Sequence, residues 1–129
     1  ILNHFPQVCS NKHVPSYVAK AEDLKKKGVD TIACLSVNDA FVMKAWADSL
    51  KVDLEKVQFW GDPMAEFTKQ IGLDIDLSVA GLGLRAKRFS MIVDNGKVVA
   101  VNVENSPGDF AVTGADRILE QLETLPKKQ

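Results

Sequence analysis

Apolar residues recur at helical spacing in the first part of the chain, and a glycine follows them. This pattern predicts a helix that ends at Gly28 and buries one face. The residues of that face are Val14, Tyr17, Val18, Ala21 and Leu24. A short apolar run over 31–37 comes next and predicts a buried strand. Asn38 or Asp39 can cap a second helix, because a short polar side chain accepts a hydrogen bond from the first turn.

That second helix is predicted to pack through a face formed by Val42, Ala45, Trp46 and Leu50. Residues 57–60 read as another strand. Pro63 suits the first turn of a third helix, which we expect to run to Ile71 with Gly72 after it. The segment 73–84 is apolar without periodicity and contains two glycines, which predicts a long, packed loop.

The last third of the chain carries the strongest local signal. Residues 88–94 and 97–102 flank Asn95-Gly96, a sequence typical of a tight hairpin turn. Thr113 and Asp116 then begin a last amphipathic helix. Its apolar residues are Ile118, Leu119 and Leu122. The resulting order of elements predicts an α/β layer with a mixed sheet.

Composition narrows the functional classes. The chain has 129 residues, of which 46% are hydrophobic and 26% charged, as in a soluble globular domain. A formal net charge of −1 gives no basic surface for nucleic acid or membrane, so we expect neither as a partner. No apolar run approaches the roughly 20 residues of a membrane span, and no signal peptide is visible.

Two cysteines, Cys9 and Cys34, are too few for a secreted disulfide framework. They favour a reducing intracellular location, in the cytoplasm, the mitochondrion or another organelle. Cys9 precedes the first helix, and backbone N–H groups at a helix start stabilise a thiolate. Cys9 and His13 could also bind a metal with His4, but the ligands are too few, and we predict no metal and no cofactor.

Three segments resemble a known family. They are Cys-Ser-Asn-Lys-His-Val-Pro at 9–15, Leu-Ser-Val-Asn-Asp-Ala-Phe-Val-Met-Lys-Ala-Trp at 35–46, and Gly-Leu-Gly-Leu-Arg-Ala-Lys-Arg-Phe-Ser-Met-Ile-Val-Asp at 81–94. Together they resemble the type II (peroxiredoxin-5-like) peroxiredoxins. The resemblance implies a single thioredoxin-like domain over residues 1–129, with helices flanking a mixed sheet. It also implies that the family's N-terminal strands are missing here.

The resemblance assigns three catalytic residues. Cys9 is expected to be the peroxidatic nucleophile, and Arg88, just before Phe89, to stabilise its thiolate and the transition state. Arg85 is the nearby alternative to Arg88. Cys34 is the candidate resolving cysteine, although a cysteine in an apolar strand is as well explained as a core residue.

The implied substrates are hydrogen peroxide and alkyl hydroperoxides, which oxidise the cysteine to a sulfenic acid. Glutaredoxin, glutathione or thioredoxin would then restore the thiol. Family members form homodimers, and here we expect the segments 77–84 and 38–41 to supply the interface.

An alternative function follows from two family positions before Cys9. The family places a proline seven residues before the cysteine and a threonine or serine three residues before it, whereas Leu2 and Pro6 stand here. Proline offers neither a hydroxyl nor an N–H to the reacting peroxide. Activity would then be reduced, and the chain could be an impaired scaffold that senses redox state or dimerises. A module in which Cys9 is glutathionylated without turnover is the third hypothesis.

Overall fold

The computed structural model describes residues 8–106 and 108–125. Four α-helices occur in these ranges: α1 (Val14–Lys26), α2 (Ala40–Ser49), α3 (Glu66–Gln70) and α4 (Ala115–Thr124). The strands are β1 (Ala33–Ser36), β2 (Gln58–Gly61), β3 (Asp74–Asp76), β4 (Leu84–Ala86), β5 (Phe89–Asp94) and β6 (Lys97–Val103). A π-helical turn, Cys9–His13, precedes α1, and a 3₁₀ turn, Ser78–Ala80, lies between β3 and β4.

The described chain divides into two compact units. The first contains the residues up to Ile32 and from Arg88 onward, and the second contains Ala33–Lys87. In the first unit α1 contacts α4, and both helices bury apolar side chains, including Ala21, Leu24 and Ile118. Whether the two units form the single domain expected from the sequence stays a prediction.

The hairpin of the first unit forms where the sequence places it. Strands β5 and β6 pair antiparallel, and Asn95 and Gly96 between them have φ values of 51° and 79°. A two-residue turn with positive φ at both positions matches the twist of the flanking strands, and asparagine and glycine tolerate these angles best. The hairpin prediction is therefore confirmed.

The second unit is a strand–helix–strand element followed by a short antiparallel pair. Strands β1 and β2 are parallel, with Cys34 opposite Phe59, and α2 connects them. The Asp39 carboxylate accepts a 2.8 Å hydrogen bond from the N–H of Val42, which confirms the predicted cap of α2. The predicted inner face of α2 is only partly correct, because Trp46 and Leu50 are half-buried whereas Val42 and Ala45 are exposed. The buried positions of this helix are Met43 and Ala47.

Helix α3 is shorter than predicted and begins at Glu66 rather than Pro63. Ala65, just before it, has a left-handed conformation with φ of 54°. The buried Asp62 carboxylate accepts hydrogen bonds from the N–H and hydroxyl of Thr68, at 2.8 and 2.7 Å. These bonds, above all the one from the hydroxyl, lower the pKa of Asp62.

The segment 73–84 is not the long loop predicted from its lack of periodicity. Strand β3 pairs antiparallel with β4, and Ile75 lies opposite Arg85. Two of the three residues of β3, Asp74 and Asp76, are polar, and strands of three residues are too short to display an alternating pattern.

Candidate functional site

Cys9 lies in the π-helical turn that leads into α1. Val8, the residue before the turn, has right-handed helical backbone angles, and its side chain makes no capping hydrogen bond. The N–H of Val14 donates to the carbonyl of Cys9, five residues back, which makes the turn wider than an α-helical one. Pro15 explains this widening, because its ring has no N–H and clashes with the carbonyl four residues earlier.

Arg88 reaches the sulfur of Cys9. Its Nη1 donates to Cys9 Sγ at 3.0 Å, and Cys9 is half-buried. Arg88 itself is only 7% exposed, immediately before β5, and its carbonyl accepts a 3.0 Å hydrogen bond from the N–H of Glu104. Buried guanidinium groups need hydrogen-bond partners because desolvating a charge is costly. The structure thus brings together the two residues that the sequence paired as nucleophile and cation.

Arg85, the alternative cation, is engaged within the second unit. Its Nε donates to the carbonyl of Leu82 at 2.8 Å, and its Nη1 donates to the Val37 carbonyl and to Asn38 Oδ1. These bonds tie β4 to the loop before α2. The geometry therefore favours Arg88 over Arg85 as the partner of Cys9.

His13 is the second contact of the arginine. Arg88 Nη1 lies 3.3 Å from His13 Nδ1, and His13 Nε2 lies 3.1 Å from the carbonyl oxygen of Thr113. The rings of Tyr17 and Phe110 are 5.6 and 5.7 Å from the imidazole. Burial, reinforced by the charge of Arg88, lowers the pKa of His13 to about 4, so the ring is neutral at neutral pH.

The Thr113 carbonyl also accepts a 2.8 Å hydrogen bond from the hydroxyl of Tyr17. Burial raises the pKa of Tyr17 to about 12, so this side chain keeps its proton. The apolar periodicity of α1 predicts only a packing role for Tyr17. In the structure its hydroxyl also helps to fix the backbone carbonyl that His13 contacts.

Glu104 anchors the same loop, a role that the sequence pattern did not predict. Its carboxylate accepts hydrogen bonds of 2.9–3.0 Å from the backbone N–H groups of residues 111–113 and one of 2.7 Å from Thr113 Oγ1. Burial raises the pKa of Glu104, but these hydrogen bonds outweigh it and hold the pKa below its usual range. A lone glutamate directly after an apolar strand was the available signal.

The bond to Glu104 also corrects the predicted start of the last helix. Thr113 donates its hydroxyl to Glu104 instead of capping the helix, and α4 begins at Ala115 with Gly114 at the N-cap. Because Thr113 is fully buried, its hydroxyl needs a partner inside the protein, and the carboxylate provides one.

Several residues singled out in the sequence do not belong to the cluster around Cys9 or lie outside the described residues. Cys34 is half-buried in the middle of β1, in the second unit. Leu2, His4 and Pro6, on which the impaired-scaffold and metal hypotheses depended, lie outside the described residues.

Over 8–106 and 108–125, no group of three His, Cys, Asp or Glu side chains could hold a metal ion. Within the same part of the chain, no helix has the length and apolar composition to span a membrane.

Comparison with known proteins identifies the family. The Redoxin family matches residues 1–119. Peroxiredoxin-2C of Oryza sativa subsp. japonica is 48% identical over 118 residues, which cover 92% of this chain and 72% of that protein. The chain belongs to the peroxiredoxin family. The chain is therefore a thiol-dependent peroxidase, for which a peroxide is the substrate and a thiol is the reductant.

Two further relatives extend the comparison of this peroxiredoxin. The mitochondrial peroxiredoxin-2F of Arabidopsis thaliana is 50% identical over 115 residues, which cover 89% of this chain and 57% of that protein. The crystal structure of reduced Prx3 in complex with hydrogen peroxide from Vibrio vulnificus is similar with a TM-score of 0.83 and 47% identity, covering 90% of this chain and 70% of that one. The thioredoxin-like α/β fold expected from the sequence is confirmed.

Proposed function

We propose that Cys9 is the peroxidatic cysteine and that Arg88 stabilises it as a thiolate. The observation that carries this proposal is the 3.0 Å contact from Arg88 Nη1 to Cys9 Sγ. A permanently charged donor at this distance favours a negative sulfur over a neutral one, because a guanidinium attracts a negative charge directly. The thiolate is the form of cysteine that attacks electrophiles.

The proposed reaction begins with attack of Cys9 Sγ on one peroxide oxygen. The S–O bond forms as the O–O bond breaks, the sulfur is oxidised to a sulfenic acid, and the departing oxygen takes up a proton to leave as water or an alcohol. In this proposal Arg88 also donates to the negative charge that develops on the departing oxygen. Hydrogen peroxide and small organic hydroperoxides fit this chemistry.

Sulfenic acid trapping tests the proposal. Reduced Cys34→Ser protein would be mixed with an equimolar amount of hydrogen peroxide in the presence of dimedone, which captures sulfenic acids, and analysed by peptide mass spectrometry. We expect the adduct on Cys9. Absence of an adduct on Cys9 would overturn the assignment.

We further propose that an external thiol completes the cycle, with Cys34 as the resolving cysteine. Glutaredoxin, glutathione and thioredoxin all supply the required thiol. Resolution by Cys34 requires the sulfenic acid at Cys9 to condense with the Cys34 thiol and release water, and a disulfide tolerates Cα separations only up to about 7 Å. Because Cys34 lies in a hydrogen-bonded strand, local opening of a helix or strand would accompany this step.

The role of Cys34 leads to a specific prediction. Peroxide-treated wild-type protein should contain a Cys9–Cys34 disulfide, and Cys34→Ser should accumulate the Cys9 sulfenic acid until a thiol is added. Intact-mass analysis with and without reductant distinguishes the two species. Equal turnover of wild type and Cys34→Ser with glutaredoxin would instead remove Cys34 from the mechanism.

We propose that this peroxiredoxin is of the type II (peroxiredoxin-5-like) kind and forms a homodimer through the segments 77–84 and 38–41. Phe41 is 88% exposed, and Val79 is fully exposed. Arg85 links the two segments through its bonds to Leu82 and Asn38. Large exposed apolar side chains of this kind commonly mark an interface.

The dimer proposal predicts that Phe41→Asp shifts the protein toward monomer, because a carboxylate at the interface would be desolvated without a partner. Sedimentation velocity over a range of concentrations would measure the change. Val98→Asp, which introduces the same charge at an exposed valine of β6, is the matched control and should leave the dimer intact. Equal behaviour of both variants would contradict the interface.

We also propose an intracellular location, since the cycle requires a supply of reducing thiols. The mitochondrial relative is consistent with this assignment. The hydroxyl missing at Pro6 is proposed to lower the peroxidase rate without abolishing it, because the Arg88 donor to the sulfur is retained.

A further inference from the structure

We infer that His13 is a positioning residue that holds the Arg88 guanidinium against Cys9 by accepting a hydrogen bond at Nδ1. The inference rests on the proposed role of Cys9 and Arg88. It assigns to His13 a function in the peroxide reaction that differs from metal binding and from packing at the start of a helix.

The proton on the imidazole is fixed by its two neighbours. A backbone carbonyl can only accept a hydrogen bond, so the 3.1 Å contact with Thr113 requires a proton on Nε2. A guanidinium can only donate, so the 3.3 Å contact with Arg88 requires a free lone pair on Nδ1. His13 is therefore the neutral Nε2–H tautomer, and the low pKa of its ring agrees with this assignment.

The imidazole is itself held in place from several sides. Tyr17 and Phe110 contact the ring, and the Thr113 carbonyl is fixed because the N–H and hydroxyl of the same residue donate to Glu104. A continuous set of contacts thus runs from Glu104 through Thr113 and His13 to Arg88. The Nη1 atom that faces Nδ1 is also the one that donates to Cys9 Sγ, so loss of the acceptor removes one of the contacts that orient this atom toward the sulfur.

Two substitutions of His13 distinguish the role of Nδ1 from that of Nε2. Asparagine places its amide oxygen near the position of Nδ1, so His13→Asn can still accept from Arg88 but loses the bond to Thr113. Glutamine places its amide nitrogen near the position of Nε2, so His13→Gln can still donate to Thr113 but lacks an acceptor at the position of Nδ1. The pair is matched, because both variants are neutral amides.

The experiment measures the second-order rate constant for peroxide by stopped flow in both variants, each checked for native circular dichroism and thermal unfolding. We expect His13→Gln to slow the reaction about tenfold and His13→Asn to stay within about threefold of wild type, in keeping with the loss of one hydrogen bond to a charged group. Equal rates in His13→Gln and wild type, or a larger loss in His13→Asn than in His13→Gln, would overturn the inference.

A double-mutant cycle tests whether His13 acts through Arg88. In an Arg88→Met background, His13→Gln should change the rate by less than about twofold, because the group that it positions is gone. A tenfold effect on the rate that persists in that background would show that His13 does not act through Arg88 and would overturn the inference. The two proposals fail separately: a dimedone adduct on Cys9 with an unaffected His13→Gln rate rejects the inference alone, whereas no adduct on Cys9 rejects both.

Discussion

Arg88→Met should slow the reaction with hydrogen peroxide by about 10²–10³-fold, the loss measured in another enzyme class when one donor to developing charge is removed. The substitution deletes the donor 3.0 Å from Cys9 Sγ while its apolar side chain fills the buried site left by the guanidinium. Stopped-flow mixing of reduced protein with peroxide gives the second-order rate constant directly, and circular dichroism verifies the fold.

Two further variants define what the arginine supplies. Arg88→Lys keeps the charge but not the planar set of donors, so its rate should lie between those of wild type and Arg88→Met. Arg85→Met removes the other arginine considered from the sequence, whose bonds go to Leu82, Val37 and Asn38. A larger loss of rate in Arg85→Met than in Arg88→Met would contradict the assignment of Arg88 as the cation that activates Cys9.

Glu104→Gln should lower the free energy of unfolding at neutral pH by about 2–4 kcal/mol, because a buried set of hydrogen bonds loses its charged acceptor. Four donors converge on this carboxylate, the backbone N–H groups of residues 111–113 and the Thr113 hydroxyl. A glutamine amide accepts through one oxygen only, and its NH₂ group would face donors. Urea unfolding measures the difference.

The effect of Glu104 should depend on pH with a defined sign. The folded protein holds the pKa of Glu104 below its usual range, so the unfolded chain binds the proton more readily. The stabilisation is complete above the unfolded pKa, about 4.5, and is lost as the pH falls through the lower folded value. The difference between wild type and Glu104→Gln should therefore shrink on acidification.

Glu120→Gln provides the matched control for this stability measurement. Glu120 makes an exposed ion pair with Arg117 at 3.4 Å on α4, and exposed pairs contribute only about 0–1 kcal/mol. A Glu104→Gln variant that unfolds at the same urea concentration as Glu120→Gln would contradict the anchoring role of Glu104.

Local signals explain which elements could be predicted from the sequence. The apolar periodicity of α1 and the Asn95-Gly96 turn each depend on residues close together in the chain, and both elements form as expected. Strands β3 and β4 could not be predicted in the same way. Their three-residue pairing depends on contacts across an intervening turn, and their composition carries no period.

The same contrast between local signals and long-range contacts holds for the functional site. The cysteine and arginine could be inferred because family motifs surround both, and their contact spans 79 positions of sequence. The roles of His13 and Glu104 could not, because each depends on where the backbone of residues 111–113 lies after folding. Pro15 explains the widened turn at Cys9–His13 once the structure is known. The sequence alone does not predict it, because a proline near a helix start is either tolerated in the first turn or distorts it.

The most direct test of the account is the rate at which the reduced protein consumes hydrogen peroxide in a single turnover, compared with Cys9→Ser. If Cys9 is the activated nucleophile, the wild-type protein should react orders of magnitude faster than a free thiol such as glutathione, and Cys9→Ser should lose this fast phase completely while retaining its fold. A wild-type rate no greater than that of glutathione, or a fast phase that survives in Cys9→Ser, would contradict it.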